Sequence, residues 1–353
     1  GRVLAVEPRR QANGAVTRAV VIEADPWDSQ VLPPAAGVDP AGMDPATFVA
    51  HLQRGGLVGL GGAAFPAHVK AALPAGRTVH ALVINGCECE PYLTCDHRTL
   101  VERTAAVVRG AKILAEKLGV TDTVIGVEAN KKDAIAALER LCRGSSVRVA
   151  PLQVKYPQGA EKMLVKAIFG FEIPPGKLPL DVGTVVNNVG TTAAIADWFD
   201  EGKPLIERVV TVSGPGIPRP ANLLVPIGTP VHEVIEACGG LTADTRTVVM
   251  GGPMMGMALA SLDVPVVKGT SGILAFTADT DWMPRDDWAC VKCGRCLDAC
   301  PYFLNPSRLA LLSRARRWEE LPAFYLGDCM ECGACTWTCP SGVPIVQLIR
   351  VGK

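Results

Sequence analysis

Eight of the 13 cysteines form two copies of one pattern near the C-terminal end of the chain. Each copy has the spacing C-x₂-C-x₂-C-x₃-C-P, with which thiolates hold 4Fe–4S clusters. Three closely spaced sulfurs wrap one cluster, and the fourth, which precedes a proline, usually ligates the other cluster. The pattern therefore predicts two 4Fe–4S clusters that carry single electrons. The alternatives are a zinc site, which usually shows paired C-x₂-C knuckles, and a disulfide framework.

The repeat also predicts which cysteine serves which cluster. The proline after the fourth cysteine of each copy redirects the backbone away from the first three. We therefore expect the ligands to cross over between the two copies. One cluster takes Cys290, Cys293, Cys296 and Cys339, and the other takes Cys329, Cys332, Cys335 and Cys300.

A glycine-rich stretch lies at residues 55–62, where five of eight residues are glycine. Glycines at this density let the backbone approach a ligand closely. Pro66 predicts that a helix starts directly after the stretch, and the first N–H groups of a helix bind phosphate. Lys70, one turn further on, would add a positive charge. The stretch is therefore a candidate phosphate site, and the alternative is an ordinary loop.

Three further polar loops follow predicted strands, at residues 85–92, 155–162 and 187–192. Acidic and amide side chains at the carboxyl ends of strands lie where open α/β sheets bind their ligands. Together with the glycine loop, these segments are expected to surround one cofactor. Without that context each of them is a polar loop.

These loops need a scaffold that brings the ends of their strands together. Strands and helices alternate between residues 79 and 200, which predicts a mostly parallel sheet covered by helices. The strands are expected at 79–85, 123–128, 147–151 and 184–189, and the helices at 99–117, 131–143, 159–169 and 191–200. Further strands are expected at 209–213, 222–226 and 247–251, with helices at 45–54, 231–238 and 306–325.

The composition narrows the class of protein. A chain of 353 residues has room for two or three domains. Basic and acidic residues number 35 each, so the formal net charge is zero and no nucleic-acid partner is indicated. No long apolar run and no signal peptide are visible. Cluster cysteines in a long chain fit a reducing compartment such as the cytoplasm. Because the first residues have the character of mid-chain sequence, we expect an N-terminal part to precede them.

The motifs together resemble one family. Gly-Leu-Val-Gly-Leu-Gly-Gly-Ala-Ala-Phe-Pro at 56–66, Asn-Gly-Cys-Glu-Cys-Glu-Pro-Tyr at 85–92, Lys-Tyr-Pro-Gln-Gly at 155–159 and the doubled cysteine pattern follow the order found in the C subunit of the Rnf-type ion-translocating oxidoreductase complex. The resemblance covers nearly the whole chain. The central part also resembles the flavin subunit of respiratory NADH:quinone oxidoreductase, a family that binds FMN and NADH in one pocket.

The resemblance implies roles for individual residues. Phe65 matches an aromatic residue near the nicotinamide nucleotide and Glu90 an acidic residue near NADH, so these two are the catalytic candidates. The FMN-side positions are Gly59, Gly61, Gly62, Lys70, Asn85, Gly159, Glu161, Asn187 and Asn188. The respiratory flavoprotein has other residue types at Leu60, Cys87, Cys89 and Ala160. Cys87, Cys89 and Cys95 are expected to be free buried thiols, with metal ligation as the alternative.

The order of the predicted elements and the resemblance together predict an α/β architecture in four parts. A hairpin at 1–24 around the turn Asn13-Gly14, the remnant of an N-terminal β domain, comes first. A Rossmann-like FMN/NADH domain at 25–204 follows; it begins with a linker at 25–45 that is rich in Pro, Ala and Gly, and Pro45 predicts the start of its first helix. A small β-grasp domain at 205–284 and a helical two-cluster ferredoxin domain at 285–353 come next.

The implied function is NADH-handling electron transfer within a membrane-bound, ion-translocating NADH:ferredoxin oxidoreductase complex. Non-covalent FMN and two 4Fe–4S clusters are the expected cofactors, and NADH is the expected substrate. The other subunits of the complex and ferredoxin are the expected partners, with the chain peripheral on the cytoplasmic face of the membrane. The alternatives are a cobalamin (corrinoid) reductase with the same cofactors and an electron-relay module without a nucleotide site.

Overall fold

The computed structural model of the chain describes residues 1–25, 27, 38–74, 76–280 and 286–353. Most of the linker expected at 25–45 and the boundary expected between 284 and 285 lie outside the described residues. At the N-terminal end, β1 (Arg2–Arg10) pairs antiparallel with β2 (Val16–Glu23), as the Asn13-Gly14 turn predicts. Gly14 has a φ of 81°, which glycine adopts without steric cost.

A four-stranded parallel sheet forms the centre of the next part, with strand order β5-β4-β3-β6. Its strands are β3 (Ala81–Gly86), β4 (Asp122–Glu128), β5 (Val147–Leu152) and β6 (Thr184–Asn188). The alternation of strand and helix therefore gave the correct architecture. The chain proceeds outward from β3 through β4 to β5 and then returns to place β6 on the other side of β3. The strand order thus reverses between β3 and β6.

Seven helices accompany this sheet in the described residues. They are α1 (Pro45–Arg54), α2 (Ala67–Ala71), α3 (Cys95–Glu102), α4 (Thr104–Leu118), α5 (Lys132–Cys142), α6 (Glu161–Phe169) and α7 (Val189–Glu201), with a 3₁₀ turn at Pro179–Val182. The single helix expected at 99–117 is wrong, because Arg103 leaves helical geometry and separates α3 from α4. The Thr104 hydroxyl donates to the carbonyl of Leu100 at 2.6 Å. Hydrogen bonds of this kind, from a threonine side chain to the backbone, compete with the backbone hydrogen bonds of a helix.

A five-stranded mixed sheet follows, in the order β10-β9-β11-β7-β8. Its elements are β7 (Glu207–Ser213), β8 (Ala221–Pro226), α8 (Val231–Ala237), β9 (Thr245–Met250), β10 (Met257–Ala258) and β11 (Gly272–Thr277). Strand β11 was not predicted. It is buried on both faces between β9 and β7, so its sequence lacks the alternation that marks a half-buried strand.

The cysteine-rich part is helical. Its elements are α9 (Arg295–Asp298), α10 (Pro306–Arg314), 3₁₀ turns at Trp318–Phe324 and Leu326–Asp328, α11 (Ala334–Trp337) and α12 (Ile345–Gly352). The helix expected at 306–325 ends early, at Arg314, because Arg316 takes a left-handed φ of 55°, and the chain continues as 3₁₀ turns. Buried Leu309, Leu312, Leu321, Ile345 and Ile349 form the core of this part. Among the described helices, none combines the length and apolar character needed to cross a membrane.

Candidate functional site

The point where the strand order reverses brings two of the predicted polar loops together. Asn85 lies at the carboxyl end of β3, and Asn187 and Asn188 end the neighbouring strand β6. Open α/β sheets bind ligands in the crevice outside such a switch point. The parallel pairing of β3 with β6 therefore places three sequence-predicted residues at one ligand-binding edge.

The glycine loop lies across this edge as a closed turn. Gly59 donates its N–H to the carbonyl of Phe65 at 2.8 Å, and Leu60 donates to the Thr191 hydroxyl at 2.8 Å. Gly62 has a φ of 105°, which a residue with a β-carbon rarely adopts. The loop is thus tied to the start of α7 through Thr191, and its shape requires glycine at position 62.

The helix expected directly after the glycine loop is shorter than the phosphate-site interpretation needs. Helix α2 has only five residues, so few aligned peptide dipoles reach its first turn. The longer α7 begins beside the loop instead. Its N-cap Asn188 accepts the Gly190 N–H at 2.8 Å, and a β-carbon at Gly61 would lie 3.6 Å from the Asn188 side chain. The glycine loop therefore meets the N-terminus of α7 rather than that of a helix following it.

Lys70 and Glu161 are brought together from segments 91 residues apart. The Lys70 ammonium donates to Glu161 Oε1 at 2.8 Å and to the Val186 carbonyl of β6 at 2.7 Å. Asn187, the next residue, is 7% exposed. One FMN-side lysine, one glutamate and the strand carrying the asparagine pair therefore share one polar patch.

Asn85 fixes the loop that precedes α6. Its amide donates to the Gly159 carbonyl at 2.7 Å, and the Gly159 N–H approaches the Cys89 sulfur at 3.4 Å. A β-carbon at Gly159 would lie 2.2 Å from the Cys87 carbonyl oxygen, so only glycine fits there. The side-chain oxygen of the neighbouring Gln158 is buried without a hydrogen-bond partner among the described residues. A bound group with N–H or O–H donors would satisfy it, which fits a flavin at this loop.

Glu90, the acidic catalytic candidate, contacts the mixed-sheet part of the chain. Its carboxylate accepts the Met254 N–H at 3.0 Å and the Met255 N–H at 2.9 Å. Burial raises the pKa of Glu90, and these two hydrogen bonds oppose that rise. Phe65, the aromatic candidate, is half exposed at the end of the glycine loop. The two candidates therefore differ, since Phe65 is open to solvent and Glu90 is engaged in a contact between two parts of the fold.

The three cysteines outside the repeat at 87, 89 and 95 lie near one another in the chain, and two of them have identified partners. Cys89 contacts Gly159, and the Cys95 thiol donates to Glu88 Oε1 at 3.2 Å. Burial raises the pKa of Cys87, Cys89 and Cys95, to about 11 for Cys89. These side chains are therefore neutral thiols at neutral pH.

The second cysteine set lines one cavity. Cys300, Cys329, Cys332 and Cys335 all face it, together with apolar side chains that include Leu309 and Val346. Burial and then the charges of its three neighbours raise the pKa of Cys335 to about 12. Across the described residues, no three His, Cys, Asp or Glu side chains close around a point in the way a lone metal ion needs. Four sulfurs around a wider cavity suit the donor set of a 4Fe–4S cluster.

The two cysteine patterns have the same backbone conformation. Gly294 and Gly333 have φ values of 81° and 82° and precede the matching short helices α9 and α11. Lys292 and Glu331, two residues earlier, have φ values of 55° and 59°. In the first pattern, the charge of Cys339 contributes to the raised pKa of Cys296, of which burial is the largest cause. The two patterns thus have the same turn followed by a short helix.

The second pattern contacts two loops of the neighbouring parts of the fold. The Tyr156 hydroxyl, from the loop before α6, donates to the carbonyl of Cys332. A β-carbon at Gly333 would lie 2.6 Å from the Met254 carbonyl oxygen, so the chain there packs directly on the loop that Glu90 holds. Cys293, the counterpart of Cys332 in the first pattern, is exposed.

Comparison with known proteins finds a match for the parallel-sheet part, the mixed-sheet part and the cysteine-rich part of the chain. Family models match at residues 52–197 (Nuo51 FMN-binding domain), 209–258 (SLBB domain) and 288–343 (4Fe-4S dicluster domain). The C subunit of the Na(+)-translocating ferredoxin:NAD(+) oxidoreductase complex of Acetobacterium woodii is 42% identical over 358 residues, covering 100% of this chain and 80% of the relative. The chain belongs to the C-subunit family of ion-translocating oxidoreductase complexes.

Other relatives and solved structures agree with this family. The C subunit of the proton-translocating ferredoxin:NAD(+) oxidoreductase complex of Clostridium ljungdahlii is 45% identical, covering 87% of this chain and 67% of its own. The fold of this family member is similar to that of a chain in the crystal structure of an NAD+-reducing [NiFe]-hydrogenase in the H2-reduced state, with a TM-score of 0.63. The two are 20% identical, and the match covers 88% of this chain and 62% of the hydrogenase chain. The expected family, fold class, FMN-binding domain and 4Fe–4S dicluster domain are thereby confirmed.

Sequence reasoning missed two charged residues of this family member. Arg208 on β7 is 4% exposed and donates to the Leu60 carbonyl of the glycine loop at 3.3 Å. Asp96 on α3 accepts a 2.7 Å hydrogen bond from the Asn188 amide. Burial and the charge of Glu88 raise the pKa of Asp96 to about 7, against the opposing effects of Asn188 and Arg208. The available signal for Arg208 was a charged residue directly before the apolar pair Val209-Val210 of a predicted strand.

Proposed function

We propose that this chain is the NADH-handling electron-transfer subunit of a membrane-bound, ion-translocating NADH:ferredoxin oxidoreductase complex. The observation that carries the proposal is the contact between Tyr156 and Cys332, which joins the switch-point edge to the second cysteine set. Two relatives are named as ferredoxin:NAD(+) oxidoreductase subunits. The other subunits of such a complex and ferredoxin are the proposed partners, and the chain would lie on the cytoplasmic face of the membrane.

The FMN is proposed to lie at the carboxyl edge of β3 and β6. Gly59, Gly61 and Gly62 would hold it from the glycine loop, with Asn187 and Asn188 at the start of α7. Lys70 and Glu161 would contribute the charged contacts, and Asn85 and Gly159 would close the opposite side. Support comes from the hydrogen bonds that link these residues in pairs across the edge and from the unpaired Gln158 oxygen.

The two clusters are proposed to follow the crossed ligand sets. Cys329, Cys332, Cys335 and Cys300 would hold the cluster nearer the flavin, because Cys332 and Gly333 contact the flavin side of the fold. Cys290, Cys293, Cys296 and Cys339 would hold the outer cluster, since Cys293 is exposed. The cavity that Cys300 shares with Cys329, Cys332 and Cys335 supports the crossing.

The cofactors supply the redox chemistry and the chain supplies their arrangement. FMN held at this edge would supply acceptance of a two-electron hydride and release of single electrons, and clusters held by the two cysteine sets would supply one-electron acceptance. Phe65, exposed beside the glycine loop, would stack with the nicotinamide nucleotide. Glu90 would act at the nucleotide side by holding the Met254 and Met255 backbone in place. The protein residues therefore bind, orient and connect the three groups.

The test is anaerobic purification of the full chain followed by assays for FMN, iron and sulfide and by NADH reduction. The expected result is FMN together with the iron and sulfide of two clusters, and bleaching of the cluster absorption on addition of NADH. Iron and sulfide without FMN, and no response to NADH, would favour an electron-relay module instead. Co-purification of the natural chain with integral membrane proteins would support the proposed complex, and co-purification with a corrinoid protein would contradict it.

A further inference from the structure

Tyr156 lies between the flavin side of the fold and the second cysteine set. It belongs to the loop that joins β5 to α6, and its hydroxyl donates to the Cys332 carbonyl, 176 residues away in the sequence. A phenol has a pKa of about 10, so Tyr156 is protonated at neutral pH and its hydroxyl donates to this carbonyl.

The loop that carries Tyr156 is held close to the flavin side. Gly159, three residues on, is fixed by the Asn85 amide at 2.7 Å and by the close approach of Cys87 and Cys89. Because Asn85 ends β3 at the proposed FMN edge, the position of the phenol is set by the flavin side of the fold.

The acceptor is held equally firmly. Gly333 packs against the Met254 carbonyl, where a β-carbon would lie at 2.6 Å, and Met254 is itself hydrogen-bonded to Glu90 at 3.0 Å. The peptide group between Cys332 and Gly333 therefore lies between Tyr156 on one side and the Glu90-anchored loop on the other. Such a peptide has little freedom to turn away from the phenol.

We propose that Tyr156 is a positioning residue that raises the reduction potential of the cluster held by Cys329, Cys332, Cys335 and Cys300. The inference rests on the proposed function and its crossed ligand sets. Hydrogen bonds and charge around the sulfur ligands are among the factors that set the potentials of such clusters. The O–H dipole of Tyr156 points its positive end at the peptide of a ligand cysteine, which favours the more negative, reduced cluster.

The first cysteine pattern provides the contrast. Cys293 occupies the position equivalent to Cys332 but faces solvent. The two patterns share their backbone conformation, so a difference in potential between their clusters has to come from the surroundings. The second pattern accepts a hydrogen bond from Tyr156 at Cys332, whereas Cys293 faces solvent. The surroundings of the two clusters are therefore unequal.

The test is a redox titration of the anaerobically purified full chain, followed by electron paramagnetic resonance of both clusters. Tyr156→Phe removes the donor and keeps the ring. The expected result is a lower potential for one cluster, an unchanged potential for the other, and unchanged FMN and iron per chain. The Cys300→Ser variant identifies the signal that belongs to the second set.

Two outcomes would overturn the proposal. One is an unchanged potential for both clusters at full iron content, and the other is an equal fall in both, which would indicate general loosening. If Tyr156→Phe loses the cluster, 3-fluorotyrosine at position 156 keeps the hydrogen bond with a more acidic phenol, and the same potential should then rise. An unaltered potential in that protein would also refute the idea. A wild-type chain without FMN or clusters would instead refute the proposed function, so the two failures are distinguishable.

Discussion

The carboxylate of Glu90 accepts the backbone N–H of Met254 at 3.0 Å, across the junction between the parallel-sheet and mixed-sheet parts of the chain. The carbonyl oxygen of the same Met254 packs against Gly333 in the second cysteine pattern. One acidic side chain in the loop after β3 thus determines the position of a segment that reaches a proposed cluster ligand turn.

Replacing Glu90 by Gln is expected to weaken this junction. The Gln amide has one acceptor oxygen where the carboxylate has two, so one backbone N–H of Met254 or Met255 loses its partner. Leaving a buried donor unpaired costs about 1–3 kcal/mol, and we expect a cost of about 1 kcal/mol here because Met254 is only partly buried and Met255 is exposed. We expect a matching fall in the free energy of unfolding, slower NADH-driven reduction of the clusters, and normal FMN content. Glu102→Gln, at an exposed pair with Arg98, is the control. Loss of FMN with normal kinetics after FMN is added back would show that Glu90 acts on the flavin instead.

A side chain at Gly61 is expected to displace FMN without disturbing the fold. A β-carbon there would meet only the Asn188 side chain, at an ordinary 3.6 Å, so the ligand-free chain has room for a β-carbon. Gly61→Val should therefore purify with both clusters, with little or no FMN, and with the melting temperature of the FMN-depleted wild-type chain. Gly42→Val, at an open position, controls for valine itself. Full FMN occupancy in the Gly61 variant would rule out contact between this part of the loop and the flavin.

Crossed ligation predicts the effect of losing Cys300. Since Cys300 lines the cavity of the second pattern, Cys300→Ser should alter the spectrum of the cluster held by Cys329, Cys332 and Cys335. The other cluster should stay spectroscopically normal. Cys238→Ser, at a buried cysteine outside both patterns, is the control. A variant that instead loses the cluster served by Cys290 would show that each pattern binds its own fourth cysteine.

The raised pKa of Asp96 predicts that its contribution to the free energy of unfolding falls as the pH rises toward neutral. Its pKa is raised from 3.8 to about 7 by burial and the charge of Glu88. Between these values the folded chain binds more protons than the unfolded chain, so the free energy of unfolding decreases with rising pH. Asp96→Asn should flatten this decrease in thermal unfolding measured across that pH range, whereas Asp200→Asn, at an exposed pair with Arg109, should not. Identical pH profiles for the wild-type and Asp96→Asn chains would contradict the assignment.

The sequence by itself determined the features that depend on local spacing. The doubled cysteine pattern predicted a dicluster domain, and the alternation of strands and helices predicted the parallel sheet, because both are encoded within a few residues of one another. The hairpin β1–β2 and helix α1 followed from turn and proline signals in the same way. Residue types at strand ends were enough to nominate Asn85, Asn187 and Asn188.

The tertiary structure decided what depends on contacts between distant segments. Only the return of β6 beside β3 places the asparagines at one edge, and only packing shows that the glycine loop meets α7 rather than the five-residue α2. Strand β11 escaped prediction because burial on both faces removes its periodicity. Arg208, Asp96 and the Tyr156–Cys332 contact carry no sequence signal of their partners, since those partners lie 92 to 176 residues away along the chain and meet only when the fold closes.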